Sequence, residues 1–247
     1  MLRIEQPIDG IRIHYCPGDE NTVALLTAAC QRTLWLTTEL WRLSPPTDCR
    51  VYTMRSALGY LLRSAPWPQK TIIAVLSPLV WVMLRRSWHL FPAWTQRYRD
   101  RPTIGIKPRG LFEKTDRHVS LMILNQEESI DRRIESTFCH ELVHAQSAHL
   151  KLPMWLDEGI AMLTQDAYLG HPLLRPESLQ LVQDHKPKRP PVSYRKLPGQ
   201  PKGDIAYHYA RAYWLTRFLN GRHPHVLREI LSRRMRHGSI DRLVARE

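Results

Sequence analysis

The stretch His140-Glu141-Leu142-Val143-His144 reads H-E-x-x-H. On an α-helix, residues four apart lie one turn above each other on the same face. His140 and His144 can therefore each turn an imidazole nitrogen toward one metal ion. Glu141 sits one step round the helix, where its carboxylate can reach a water at that ion and take its proton. Two imidazoles and a carboxylate in this order are the constellation of zinc-dependent hydrolysis. The five residues alone are only moderately specific, because the same spacing also falls in purely structural helices.

The surroundings narrow the choice. Asn125 followed by Glu128 is a capping-box arrangement. Ile130, Ile134, Phe138, Leu142 and Ala145 then give an apolar stripe at helical spacing, and Lys151-Leu152-Pro153 ends it. The pattern predicts one helix of about six turns. Before it, the apolar run from Val119 to Leu124 reads as a strand. A strand beside the metal helix could hold an extended peptide by main-chain hydrogen bonds.

A catalytic zinc site takes three protein ligands and leaves a position for water. The stretch Pro153-Met154-Trp155-Leu156-Asp157-Glu158-Gly159-Ile160-Ala161 offers the third. Pro153 breaks the first helix, and Trp155, Leu156, Ile160 and Met162 start a second one that packs against it. Glu158 and Asp157 are both candidate donors.

With both parts present in order, the chain resembles the gluzincin metallopeptidases, specifically the peptidase MA-like group. That pattern is H-E-x-x-H, a proline, then W-L-x-E-G-x-A. Here it stands as His140-Glu141-x-x-His144, Pro153 and Trp155-Leu156-Asp157-Glu158-Gly159-Ile160-Ala161. The resemblance implies one Zn2+ ion held by His140, His144 and Glu158, with Glu141 as general base. It leaves Asp157 as a carboxylate behind the ligands or at the surface. A metzincin would need a glycine and a histidine where Ser147 and Leu150 stand. His149 is one residue out of that register and suits the helix end, where a cation is favourable. Cys139 points to another side of the helix and reads as a packed thiol.

The segment Ile205 to Gly221 reads as a later helix ending at Asn220-Gly221. In gluzincins a Tyr or His from this region commonly donates a hydrogen bond to the developing oxyanion. Tyr207 matches the family's tyrosine best, which makes it the second expected catalytic residue after Glu141. His208, Tyr209 and Tyr213 are neighbours at other angles, and all four can also serve only to pack the helix.

At 247 residues the chain can hold one large domain or two lobes around a cleft. Ile11, Ile13 and Tyr15 alternate with polar residues as in a strand. Residues 21–43 suggest a helix stopped by Ser44-Pro45-Pro46, and residues 50–53 a second strand. The expected fold is α+β and zincin-like. Residues 1–150 would form an N-terminal mixed α/β lobe with its sheet beside the H-E-x-x-H helix. Residues 151–247 would form a mainly helical lobe carrying the glutamate ligand. Cys16, Cys30, Cys49 and Cys139 show no paired metal spacing, and the N-terminus has no apolar signal core. A reducing, cytoplasmic setting is therefore expected.

Two features stand outside the motif. The first is the charge-free apolar run from Thr71 to Leu84, inside an insert near 67–100 and bracketed by Lys70 and Arg85-Arg86. It is shorter than the ~20 residues of a spanning helix, and Pro78 would kink it. Three readings stand: a buried or lid-forming helix, an interfacial or re-entrant membrane segment, and a tilted transmembrane helix. The second feature is a net charge of +13, from 36 basic and 23 acidic side chains. It concentrates from Arg85 to Arg117 and from Lys186 to Lys202. Such a surface can meet an anionic membrane, nucleic acid or an acidic substrate, or can simply be solvated. No specific nucleic-acid motif is present.

The leading expectation is a zinc peptidase acting on a peptide or protein substrate, with an anionic membrane surface as a further partner. The alternative is a non-catalytic binding protein on a peptidase-like fold, associated with a membrane or nucleic acid. An intact Glu141 argues for turnover, since a decayed site has no need of its base.

Overall fold

The structure is a computed structural model and describes residues 2–85, 88, 91–98, 101–115, 123–125, 129–185 and 200–245. Its sheet begins where Asp9-Gly10 turns the chain. Gly10 has φ +83, and a Cβ there would stand 2.3 Å from the Pro46 carbonyl oxygen, so glycine is required. Strands β1 (Arg3–Ile8) and β2 (Ile11–Tyr15) pair antiparallel across this turn. Helix α1 (Glu20–Trp41) then carries the chain over to β3 (Cys49–Thr53), parallel to β2. After three short helices come β4 (Ala93–Tyr98) and β5 (Arg101–Ile106), paired antiparallel, with β5 parallel to β3. The strand order is β1-β2-β3-β5-β4, which leaves β4 at an edge.

The expected strands at Ile11 and Val51 form, and the long helix forms as α1. The strand expected at 119–124 does not join this sheet in its described part, and residues 119–122 lie outside the described residues. Leu124 instead bridges Leu174, with Asn125 N donating to Leu173 O at 2.7 Å and Arg175 N to Ile123 O at 2.9 Å. The strand beside the metal helix is β4.

Helix α2 (Ala57–Ser64) is followed by α3 (Trp67–Val75) and α4 (Ser77–Arg85). The apolar run is thus two short helices that break at Leu76. Pro78 falls in the first turn of α4, where its missing N–H removes no helical bond. Among the described residues no helix is long and apolar enough to cross a membrane. Nor is the run buried, since Ile72, Val75, Leu79 and Val82 are all exposed. The transmembrane and buried-helix readings are corrected accordingly.

After α5 (Arg109–Phe112) comes α6 (Ile130–Ser147), which carries the H-E-x-x-H motif. Its N-cap is Ser129, whose Oγ accepts from Arg132 N at 3.4 Å. Asn125 does not cap it, and its side chain donates to Pro172 O at 2.7 Å; Glu128 lies outside the described residues. Helix α7 (Met154–Leu169) starts after Pro153 and ends at Gly170, with φ +80. Then follow α8 (Ser178–Asp184), α9 (Lys202–Arg222), α10 (Pro224–Ser232) and α11 (His237–Val244). Helix α9 runs one residue past the expected stop. Most of the Pro-rich basic stretch, residues 186–199, lies outside the described residues.

Helices and one mixed sheet make this a mixed α/β chain, compatible with the α+β class. Helix α6 packs on β4 and β5, on α1 and on α7, and α7 packs in turn on α9. Ile13, Val51 and Ile104 of the sheet share one buried apolar cluster with Leu26 of α1, Phe138 and Leu142 of α6, Ile160 of α7 and Tyr213 of α9. Each such side chain contributes roughly 1.5–3 kcal/mol on burial. The H-E-x-x-H helix therefore lies inside the core, between sheet and helices, which fixes its rotation.

Candidate metal centre

The apolar stripe of α6 faces the core and turns the opposite edge, with His140 and His144, toward α7. The two Nε2 atoms stand 3.0 Å apart. From α7, Glu158 places Oε2 3.2 Å from His140 Nε2 and Oε1 3.7 Å from His144 Nε2. These three side chains form a group that could hold a metal ion, their ligand atoms all lying within 4.8 Å of one another. A four-coordinate ion with bonds of about 2.0–2.1 Å sets its ligand atoms roughly 3.3 Å apart, close to the spacings seen.

The far nitrogens are occupied. His140 Nδ1 lies 2.9 Å from Gln165 Oε1, and His144 Nδ1 lies 3.1 Å from Asp157 Oδ2. Donation from His140 Nδ1 to Gln165 leaves its Nε2 with the lone pair turned inward, and the Asp157 carboxylate beside His144 Nδ1 favours the same tautomer there. Ser147 Oγ donates to Asp157 Oδ1 at 2.7 Å and holds that carboxylate in place. Glu158 is buried, and among the described residues nothing donates a hydrogen bond to its Oε2. Two lone pairs and a carboxylate facing one another repel unless a cation sits among them, so the donor set fits a metal ion. The His144 imidazole responds to the same excess of negative charge. Burial alone would push it down, but Asp157 and Glu158 outweigh that and raise it to about 10. Proton and metal compete for such a site.

Glu141 points to the same cleft. Burial pushes its carboxyl up, and His140, His144 and a hydrogen bond from Thr95 counter this in part. Thr95 Oγ1, on β4, lies 2.7 Å from Glu141 Oε2. The cleft encloses about 420 Å³ and is lined by Trp94 and Thr95 of β4, by Glu141, by the three candidate ligands and by Tyr209.

The structure separates the tyrosines of α9. Tyr209 lines the cleft, and burial together with Glu158 and Glu141 raises its hydroxyl well above the ordinary phenol range. Tyr207 is not on the cleft wall. Its ring packs against His185 and His208, with centroids 5.5 and 5.4 Å away. Tyr213 donates its hydroxyl to Asp166 Oδ2 at 2.7 Å. Cys139 is a buried thiol pushed up to about 12 by burial.

Thr95 and Gln165 are absent from the expected site residues, and nothing in the sequence singles out Thr95. Gln165 had a usable signal, since it follows Glu158 by two helical turns and is a polar residue on a face that is otherwise apolar. Gly159 has a steric reason: a Cβ there would stand 1.9 Å from Thr216 Oγ1 and 2.7 Å from Ala212 O, both on α9. The glycine lets α7 and α9 approach closely, which brings Tyr209 to the cleft.

Models of known protein families give no match to this chain, and no curated protein matches it.

Proposed function

We propose that this chain is a zinc-dependent peptidase of the gluzincin type on a zincin-like fold. The observation that carries the reading is the convergence of His140 Nε2, His144 Nε2 and the Glu158 carboxylate beside the Glu141 carboxylate, in one cleft walled by an edge strand. His140, His144 and Glu158 would hold the ion. When bound, zinc supplies Lewis acidity, which acidifies a water and polarises a carbonyl. Glu141 is the group that takes the water proton at its carboxylate and delivers it to the leaving amine. The Thr95 hydroxyl fixes the rotation of that carboxylate. Tyr209, protonated at neutral pH as any tyrosine is, can donate a hydrogen bond from its hydroxyl to a developing oxyanion. It replaces Tyr207 in that proposed role because it lines the cleft. The edge that β4 forms among the described residues would supply main-chain donors and acceptors for an extended peptide.

The test is metal analysis of the purified chain together with cleavage of a peptide library, with and without chelator. Stoichiometric zinc and chelator-sensitive cleavage are expected. Zinc without any cleavage would favour the binding-protein alternative, and absence of metal from a folded chain would overturn the peptidase reading.

A further inference from the structure

Among the described residues, seven of the twelve exposed large apolar side chains lie between Trp67 and Val82, on α3, on α4 and at the break between them. No residue of α3 is buried. Trp67 is 79% exposed, Val75 74% and Leu79 60%. An apolar patch of this density on a water-facing surface marks an interaction site. The surrounding charge says what kind. From Cys49 to Arg99 the sequence holds no Asp or Glu but eight Arg or Lys, among them Arg63 of α2 and Lys70 of α3.

We infer that α3 and α4 dock this protein on an anionic lipid surface. Each helix has nine residues, about 14 Å of length, too short to span a bilayer but suited to lying in its interface. The apolar faces would enter the acyl boundary while the cations meet lipid phosphates, and the two contributions add. Trp67 and Trp81, both exposed, are the side chains that favour the headgroup level. A second copy fits less well, because it would bring the same acid-free basic stretch against its own like charge. The dock adjoins the cleft: α3 and α4 pack on α2, and Tyr60 of α2 meets the indole of Trp94 edge-on at 5.2 Å. The inference does not depend on the proposed zinc chemistry.

The experiment is flotation of the full chain with vesicles of phosphatidylcholine, alone or mixed with phosphatidylglycerol. The protein should float with the mixed vesicles and much less with the neutral ones. Added salt should weaken binding without abolishing it, since the apolar contribution is not screened. The double substitution Val75→Asp, Leu79→Asp alters exposed positions, so thermal melting should be unchanged while vesicle partition falls by about tenfold or more. Lys70→Glu should lower binding to the mixed vesicles selectively. The inference is overturned if the wild type ignores both vesicles, if it floats equally well with both, or if the double variant binds like the wild type. It is also overturned if the patch proves to join two copies, seen as a dimer in light scattering that the double variant dissociates.

Discussion

The hydroxyl of Thr95 lies 2.7 Å from Oε2 of Glu141, so the edge strand of the sheet directly holds the carboxylate of the metal helix. The same oxygen is 3.0 Å from the Glu141 main-chain carbonyl. Edge strand and proposed base are thereby tied to one another. Thr95→Val keeps the shape and removes the hydroxyl. Turnover should fall by about tenfold, a fraction of the roughly 10²–10⁴-fold a general base contributes because the base itself remains, while metal content stays unchanged. Thr95→Ser should restore most of the rate. An unaltered kcat in the valine variant would deny the positioning role.

His140→Ala, His144→Ala and Glu158→Ala should each abolish stoichiometric metal. Asp157→Ala should behave differently, because Asp157 contacts His144 at the nitrogen opposite the proposed metal. Its metal affinity should fall roughly 10–100-fold rather than vanish. Glu141→Gln should keep the metal and lose hydrolysis. Titration with a competing chelator separates these outcomes, and complete metal loss in Asp157→Ala alone would move the third ligand to that residue.

Tyr209→Phe should lower kcat by roughly a hundredfold with little change in KM, as for loss of one oxyanion donor. Tyr207→Phe should leave kcat near the wild-type value, since that ring packs on His185 and His208. The reverse pattern in steady-state kinetics would return the role to Tyr207.

Gly159→Ala places a methyl group where Thr216 and the Ala212 carbonyl already stand. Overpacking of this kind costs about 1–3 kcal/mol. A lower melting temperature and weaker metal binding are expected together, because the displaced helix carries Glu158. The double variant Gly159→Ala, Thr216→Ala should recover part of the loss.

Lys107 is buried with its ammonium against the Trp88 carbonyl, the Trp88 ring and the Thr115 hydroxyl, and burial lowers it to about 8. Its unfolded value is higher, so between pH 8 and about 10.4 the unfolded chain binds the extra proton and folding stability rises with pH. Below pH 8 the cost of the buried charge is fully present. Lys107→Met should therefore melt higher than wild type at pH 7, and the difference should shrink as pH rises through that window. A constant difference across the window would show that Lys107 is not perturbed.

The site was largely legible because its chemistry lies within two helices whose spacing is local. His140, His144 and Glu158 meet as the helix period and the Pro153 break require. What sequence reading missed depends on packing between distant segments. Strand β5 contains Pro102 and Gly105, both poor strand residues, and is buried on both faces, so no alternation marks it. Gly105 is there because a Cβ would stand 2.2 Å from Met54 Cε. The run at 119–124 had a strand-like composition, but its described end pairs with residues 173–175 and not with the sheet. On α9, tyrosines and histidines point at several angles, and only the close contact at Gly159 selects the rotation that turns Tyr209 inward.

One consequence follows from the placement of Asp157, Glu158 and Gln165 on a single helix. Glu158 faces both inner nitrogens, Asp157 holds the outer nitrogen of His144, and Gln165 that of His140. Helix α7 thus works as a template against which α6 is registered. A slide of one helix along the other by a single turn would break every one of these contacts together. If the site takes a metal as proposed, capture of the ion and docking of the two helices would then be coupled in one cooperative event.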